Sequence, residues 1–139
     1  YGEVLLRARQ DAELAALRRL SRYIGPDDVT AANPWNGATY LYLVSGRELL
    51  IPSEKVRSPG DRSLLADRLD QVGTDPAVCA AVQRQHVRFA ITGGRPFSSG
   101  GTAWKAYPGI KAVPESPAFT KVATAGPYTL WRLTECAGA

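Results

Sequence analysis

The chain has no methionine, one histidine and two cysteines among its 139 residues, and no apolar run reaches the roughly 18 residues that a membrane-spanning helix needs. A lone histidine, His86, leaves a histidine-based metal site close to excluded, and its place between a helix and a buried strand reads as structural. Cys79 and Cys136 lack His or acidic companions, so they are too few for a zinc site. Two readings of them stand open: a disulfide pinning the C-terminal tail to a helix, or a pair of buried free thiols. Also missing are the Gly-x-Gly-x-x-Gly turn, the phosphate-binding Gly-Lys-Ser/Thr loop and the Gly-x-Ser-x-Gly elbow. The neighbouring acids Asp27 and Asp28, and Glu115 further on, lie in turns where capping explains them. No catalytic residue, metal or cofactor is assigned.

Charge narrows the partners. The formal net charge is +4 and the pI about 9.3, but Lys and Arg are spread over helix faces and turns without a run or an aromatic ladder. No nucleic-acid partner is therefore expected, while a weak preference for phosphate groups or an anionic membrane surface survives. A hydrophobic content of 45% over this length fits one domain with a real core. The start at Tyr1, without a signal-peptide pattern, is read as a cut from a longer protein.

Periodicity supplies the elements. Glu3 to Ile24 is helical, with Ala16, Leu17, Leu20, Tyr23 and Ile24 on one face and Arg18, Arg19 and Arg22 on the other. Val29 to Ala32 reads as a strand, Trp35 to Val44 as a helix capped by Gly46, and Leu49 to Ile51 as a second, parallel strand closed by Pro52. Ser53 to Gly60 is a loop that offers Lys55 and Arg57. Helices begin at Asp61 and at Asp75-Pro76, the latter with Val78, Cys79, Val82 and His86 along one side. Val87 to Thr92 is the third strand, Arg95 to Phe119 is long and irregular, and Thr120 to Thr124 with Tyr128 to Leu133 form a hairpin around Ala125-Gly126-Pro127. The expected fold class is α/β: a two- or three-layer Rossmann-like sandwich with a small, mostly parallel sheet, a C-terminal antiparallel hairpin and an N-terminal helix. Residues 1–26 form the helix, a link toward a membrane part that this chain lacks, and 27–139 form one domain.

The turn Asn33-Pro34-Trp35-Asn36-Gly37 follows the first strand, where open α/β sheets place ligands. In the blander reading, Asn33 caps the helix and Trp35 packs on the sheet. Asn33, Trp35 and Asn36, Lys55 after the second strand, and Arg95 with Trp104 after the third should converge on one rim. Aromatic rings and amides beside basic groups suit sugar faces and phosphates, and equally a protein interface.

Taken in order, Ala31-Ala32-Asn33-Pro34-Trp35-Asn36-Gly37, Gly46-Arg47-Glu48-Leu49-Leu50-Ile51-Pro52, Asp75-Pro76-Ala77-Val78-Cys79, Val87-Arg88-Phe89-Ala90-Ile91 and Tyr107-Pro108-Gly109-Ile110 resemble one family. It is the C-terminal extracytoplasmic domain of actinobacterial polytopic membrane proteins that look like C-type, lipid-linked-sugar glycosyltransferases. The resemblance covers about Asp28 to Leu133. It implies a non-catalytic domain outside the cytoplasmic membrane, partnered by the membrane-embedded part of the same polypeptide and by a glycan or lipid-linked sugar. That setting permits a Cys79–Cys136 disulfide. The opening turn is more distantly similar to the Trp-Trp-Asp-Tyr-Gly acceptor-recognition block of oligosaccharyltransferase soluble domains. Here one aromatic residue and the acid are missing, so peptide-acceptor recognition does not carry over.

Overall fold

Apolar residues three and four positions apart turn one side of the first helix, α1 (Gly2–Ser21), into the sheet. Ala16, Leu17 and Leu20 are buried, while Arg18 and Arg19 in the last turn face water, where cations complement the helix dipole. The computed structural model describes residues 2–52, 60–97 and 101–138. Helix α1 ends at Ser21, whose hydroxyl donates to the Arg18 carbonyl at 2.6 Å. Tyr23 therefore leaves the face expected for it and is 56% exposed, although Ile24 stays inside.

One four-stranded sheet forms the centre. Its strands are β1 (Val29–Ala31), β2 (Val87–Gly93), β3 (Phe119–Ala125) and β4 (Tyr128–Leu133), in the order β1-β2-β4-β3. Only β1 and β2 are parallel; β2–β4 and β3–β4 are antiparallel, so the sheet is mixed, not mostly parallel. The α/β class, the N-terminal helix and the C-terminal hairpin are all present. Among the described residues the run Leu49 to Ile51 makes only one parallel bridge, Leu49 with Thr30, flanked by hydrogen bonds from Thr30 N to Glu48 O and from Leu50 N to Thr30 O. Its next carbonyl, that of Leu50, accepts from Arg62 Nε at 2.9 Å, and Pro52 follows. The ladder cannot continue past that point.

Alternation along the strands divides the core. Phe89, Ile91, Tyr128 and Leu130 join Leu17, Leu20 and Leu41 on one face. Ala90 and Phe119 join Leu65, Leu69, Val78, Val82, Ile110 and Val113 on the other. Each fully buried leucine removes enough apolar surface to contribute about 2 kcal/mol. Helices thus cover both faces: α1 and the short α2 (Leu41–Ser45) on the first; α3 (Asp61–Arg68), α4 (Pro76–Arg84) and α5 (Pro108–Lys111) on the second.

Three local departures from expectation have physical causes. The helix expected from Trp35 starts later, because the Asn36 side chain accepts from Ala38 N and opens a 3-10 turn, Gly37–Tyr40, before α2. Helix α4 stops at Arg84, and His86 is exposed with φ 57°, making the turn into β2 instead of lining the helix. The segment read as irregular holds 3-10 turns Ala103–Ala106 and Val113–Glu115 around α5, and buries Tyr107, Ile110 and Val113. The disulfide Cys79–Cys136 is formed and ties the tail after β4 to α4. Among the described residues no helix is long and apolar enough to cross a membrane.

Candidate functional site

Strands β1 and β2 point the same way, so their carboxyl ends deliver two loops to one edge of the sheet. The first is Ala32 to Gly37. Asn33 Oδ1 accepts from Trp35 N at 2.9 Å, closing a tight turn, and Asn36 performs the same task for Ala38 N. The second loop follows Gly93, which has φ 91°; a Cβ there would lie 2.1 Å from the Pro127 carbonyl oxygen, so only glycine lets β2 end against the hairpin turn.

The asparagine amide nitrogens then lace the loops together. Asn36 Nδ2 donates to Gly93 O at 3.2 Å, and Asn33 Nδ2 donates to Trp104 O at 2.9 Å. Phe97 N donates to Trp35 O at 2.7 Å, and Asn36 pairs with Pro96 in an antiparallel bridge. Between these walls opens a cleft of about 510 Å³, lined by Asn33, Asn36, Thr92, Gly94, Trp104 and Lys111 among others. Each amide nitrogen has a second proton left for a ligand. The Thr92 hydroxyl accepts from Trp131 Nε1 at 2.8 Å, which leaves its own proton free to donate.

The residues singled out from sequence thus separate. Asn33, Asn36 and Trp104 meet at the cleft. Trp35 lies behind it, half-buried against the α3–α5 core. Arg95 turns toward α1, where its guanidinium lies 3.8 Å from the Glu13 carboxylate. Lys55, with Ser53 and Arg57, lies outside the described residues. Sequence reading passed over Lys111, Lys105 and Thr92. A signal for Lys111 existed: Pro108 at the first helical position starts a turn that returns Lys111 to the ring of Trp104.

Glu13 also borders a smaller pocket of about 170 Å³ with Gln10, Leu14, Tyr40, Leu43 and Tyr128. Burial, followed by the negative charge of Glu13, pushes the Tyr128 phenol up to about 12. It stays protonated at neutral pH and is a poor base. Beside this pocket, Tyr42 and Leu43 of α2 are 60% and 74% exposed. No group of three or more metal-ligating side chains converges among the described residues.

These features define the class as a small mixed α/β domain with its cleft at the strand ends. The C-terminal globular domain of an oligosaccharyltransferase from Archaeoglobus fulgidus shares the fold, with a TM-score of 0.50, covering 86% of this chain and 94% of that one at 10% identity. No curated protein matches the chain. The chain belongs to a family of unknown function, DUF6541, whose model matches residues 7–135.

Proposed function

We propose that the chain is a non-catalytic, extracytoplasmic domain of a membrane glycosyltransferase-like protein of the cell envelope, of the actinobacterial kind that the sequence resembles, and that its cleft holds a glycan acceptor. The carrying observation is the placement of the Trp104 indole and two asparagine amides at the carboxyl ends of a parallel strand pair. An indole face and spare amide protons are what a sugar ring and its hydroxyls require. The fold shared with an oligosaccharyltransferase domain supports the setting, and so does the disulfide, which persists in oxidising compartments. In this reading Trp104 stacks on the sugar, Asn33 and Asn36 donate to it, and Trp35 braces the turn from behind.

Titration of the domain with envelope glycan fragments, followed by Trp fluorescence and amide shifts, tests the reading. A saturable response at Asn33, Asn36 and Thr92 is expected, abolished by Trp104→Leu and weakened by Trp35→Ala. A wild-type response that survives Trp104→Leu would refute the assignment of the cleft.

One observation favours a second reading. Tyr42 and Leu43 form an exposed apolar step on α2, suited to docking against the membrane-embedded part of the same polypeptide. This reading predicts no glycan response, together with weakened association of the two parts after Tyr42→Ser and Leu43→Ser.

A further inference from the structure

We infer that the carbohydrate taken by this cleft is acidic, a sugar whose phosphate or carboxylate is held by Lys111 and Lys105 while its ring lies on Trp104; the inference rests on the glycan-binding reading above. Among the described residues Lys111 is the one ionised side chain lining the cleft, no carboxylate lines it, and Lys105 stands beside it at the Trp104 ring. Lys111 Nζ stands 5.5 Å from the centroid of the Trp104 ring and Lys105 Nζ 5.6 Å from it, both within cation–π range. Each ammonium attracts an anion that arrives at the ring.

Neither lysine is neutralised from within the described chain. Asp61, Asp75 and Glu13 pair with Arg84, Arg68 and Arg95. Both lysines are solvent-exposed, so their charges reach an arriving ligand without a burial penalty. Among the described residues the other polar side chains lining the cleft are neutral donors, the amides of Asn33 and Asn36 and the Thr92 hydroxyl. This combination, cationic groups at the Trp104 ring together with neutral hydrogen-bond donors in the lining, matches a sugar that carries an acid group. It gives a neutral sugar half a site.

The test compares glucose 1-phosphate, glucuronate, glucose and inorganic phosphate by amide-shift titration of the wild-type domain and of the Lys105→Gln/Lys111→Gln variant. Both substitutions are on exposed side chains and leave the fold intact, which unchanged shifts away from the cleft will verify. Either acidic sugar should bind about tenfold or more tightly than glucose, an advantage that fades with added salt and vanishes in the double variant. Equal binding of glucose and the acidic sugars would overturn the inference while leaving the glycan-binding reading intact. Inorganic phosphate binding as tightly as glucose 1-phosphate would also overturn it, since the ring would then add nothing. Persistence of the advantage in the double variant would remove the lysines from the site, and silence from all four probes would overturn the glycan-binding reading with it.

Discussion

Reducing the Cys79–Cys136 bond should cost the fold about 4 kcal/mol. The cross-link joins residues 57 positions apart and encloses β2, α5, β3 and β4, so in the unfolded chain it forbids most of the conformations open to that loop. The chain-entropy relation for a loop of that length sets the magnitude at about 4 kcal/mol at 25 °C. With an unfolding entropy typical of 139 residues, the melting temperature should fall by about 12–15 °C. Thermal and urea unfolding followed by far-UV circular dichroism, with and without reductant, reads the difference. Replacing both cysteines by alanine should cost about 1 kcal/mol more than reduction, because Cys79 is only 3% exposed and its sulfur packs in the core. The native tail has other anchors: Ala137 N donates to Val72 O at 2.8 Å and Thr134 N to Ala118 O at 2.8 Å. If reduction lowers the melting temperature by less than about 4 °C, those bonds and residual denatured-state structure dominate, and the loop-entropy reasoning is refuted.

Gly109→Ala should destabilise by about 3 kcal/mol, because the added methyl would lie 2.5 Å from Leu69 N and 2.6 Å from Arg68 N, backbone atoms that cannot step aside. It should also weaken ligand binding, since α5 carries Lys111; a urea midpoint within experimental error of wild type would contradict the close approach of α5 to α3. Hydrogen bonds from Arg84 first, and then Gln85, hold the Asp61 carboxyl at about 2 against an ordinary 3.8. A carboxylate pKa lowered in the folded state stabilises above the unfolded value and loses that contribution as pH falls from about 4 to about 2. Asp61→Asn should therefore flatten the acid side of the stability profile in that window. The effect is small because Arg84 is largely in water, and carboxyl NMR titration of Asp61 checks it directly.

The parts of the fold legible in sequence were those with a short-range signature. Leucine spacing marked α1, β-branched and aromatic alternation marked β2 and β4, and Ala125-Gly126-Pro127 marked the hairpin turn. Asp75-Pro76 located the start of α4, and the Asp75 carboxylate does accept from Ala77 N. The antiparallel hairpin and the parallel contact of Leu49 with β1 were legible, but the antiparallel pairing of β2 with β4 was not, because it depends on which strand β2 meets across the sheet and not on its own residues. Apolar content made Leu49 to Ile51 look like a full strand, yet the three-residue β1 gives it almost nothing to pair with. The stretch after Gly94 looked irregular because Pro108, Pro114 and Pro117 break any period, although Tyr107, Ile110 and Val113 are as buried as strand residues. Trp35 looked the stronger contact and Trp104 the weaker; both are half-buried, and only their neighbours separate Trp35, packed on the core, from Trp104, which lines the cleft. Arg95 was assigned to the rim by chain position; its side chain went to Glu13 instead.

The hydrogen bond from Asn33 to the Trp104 carbonyl joins residues 71 apart in the chain. The cleft it closes is built from both halves of the molecule, so it cannot survive in a partly unfolded form that has released either one. Ligand occupancy and global folding are then a single equilibrium: any compound that fills the cleft raises the unfolding free energy of the whole chain, by about 2.7 kcal/mol at a hundredfold excess over Kd. A shift in melting temperature would report such a compound whatever its chemistry, and the order in which candidate compounds raise it would rank their affinities before any one contact is known.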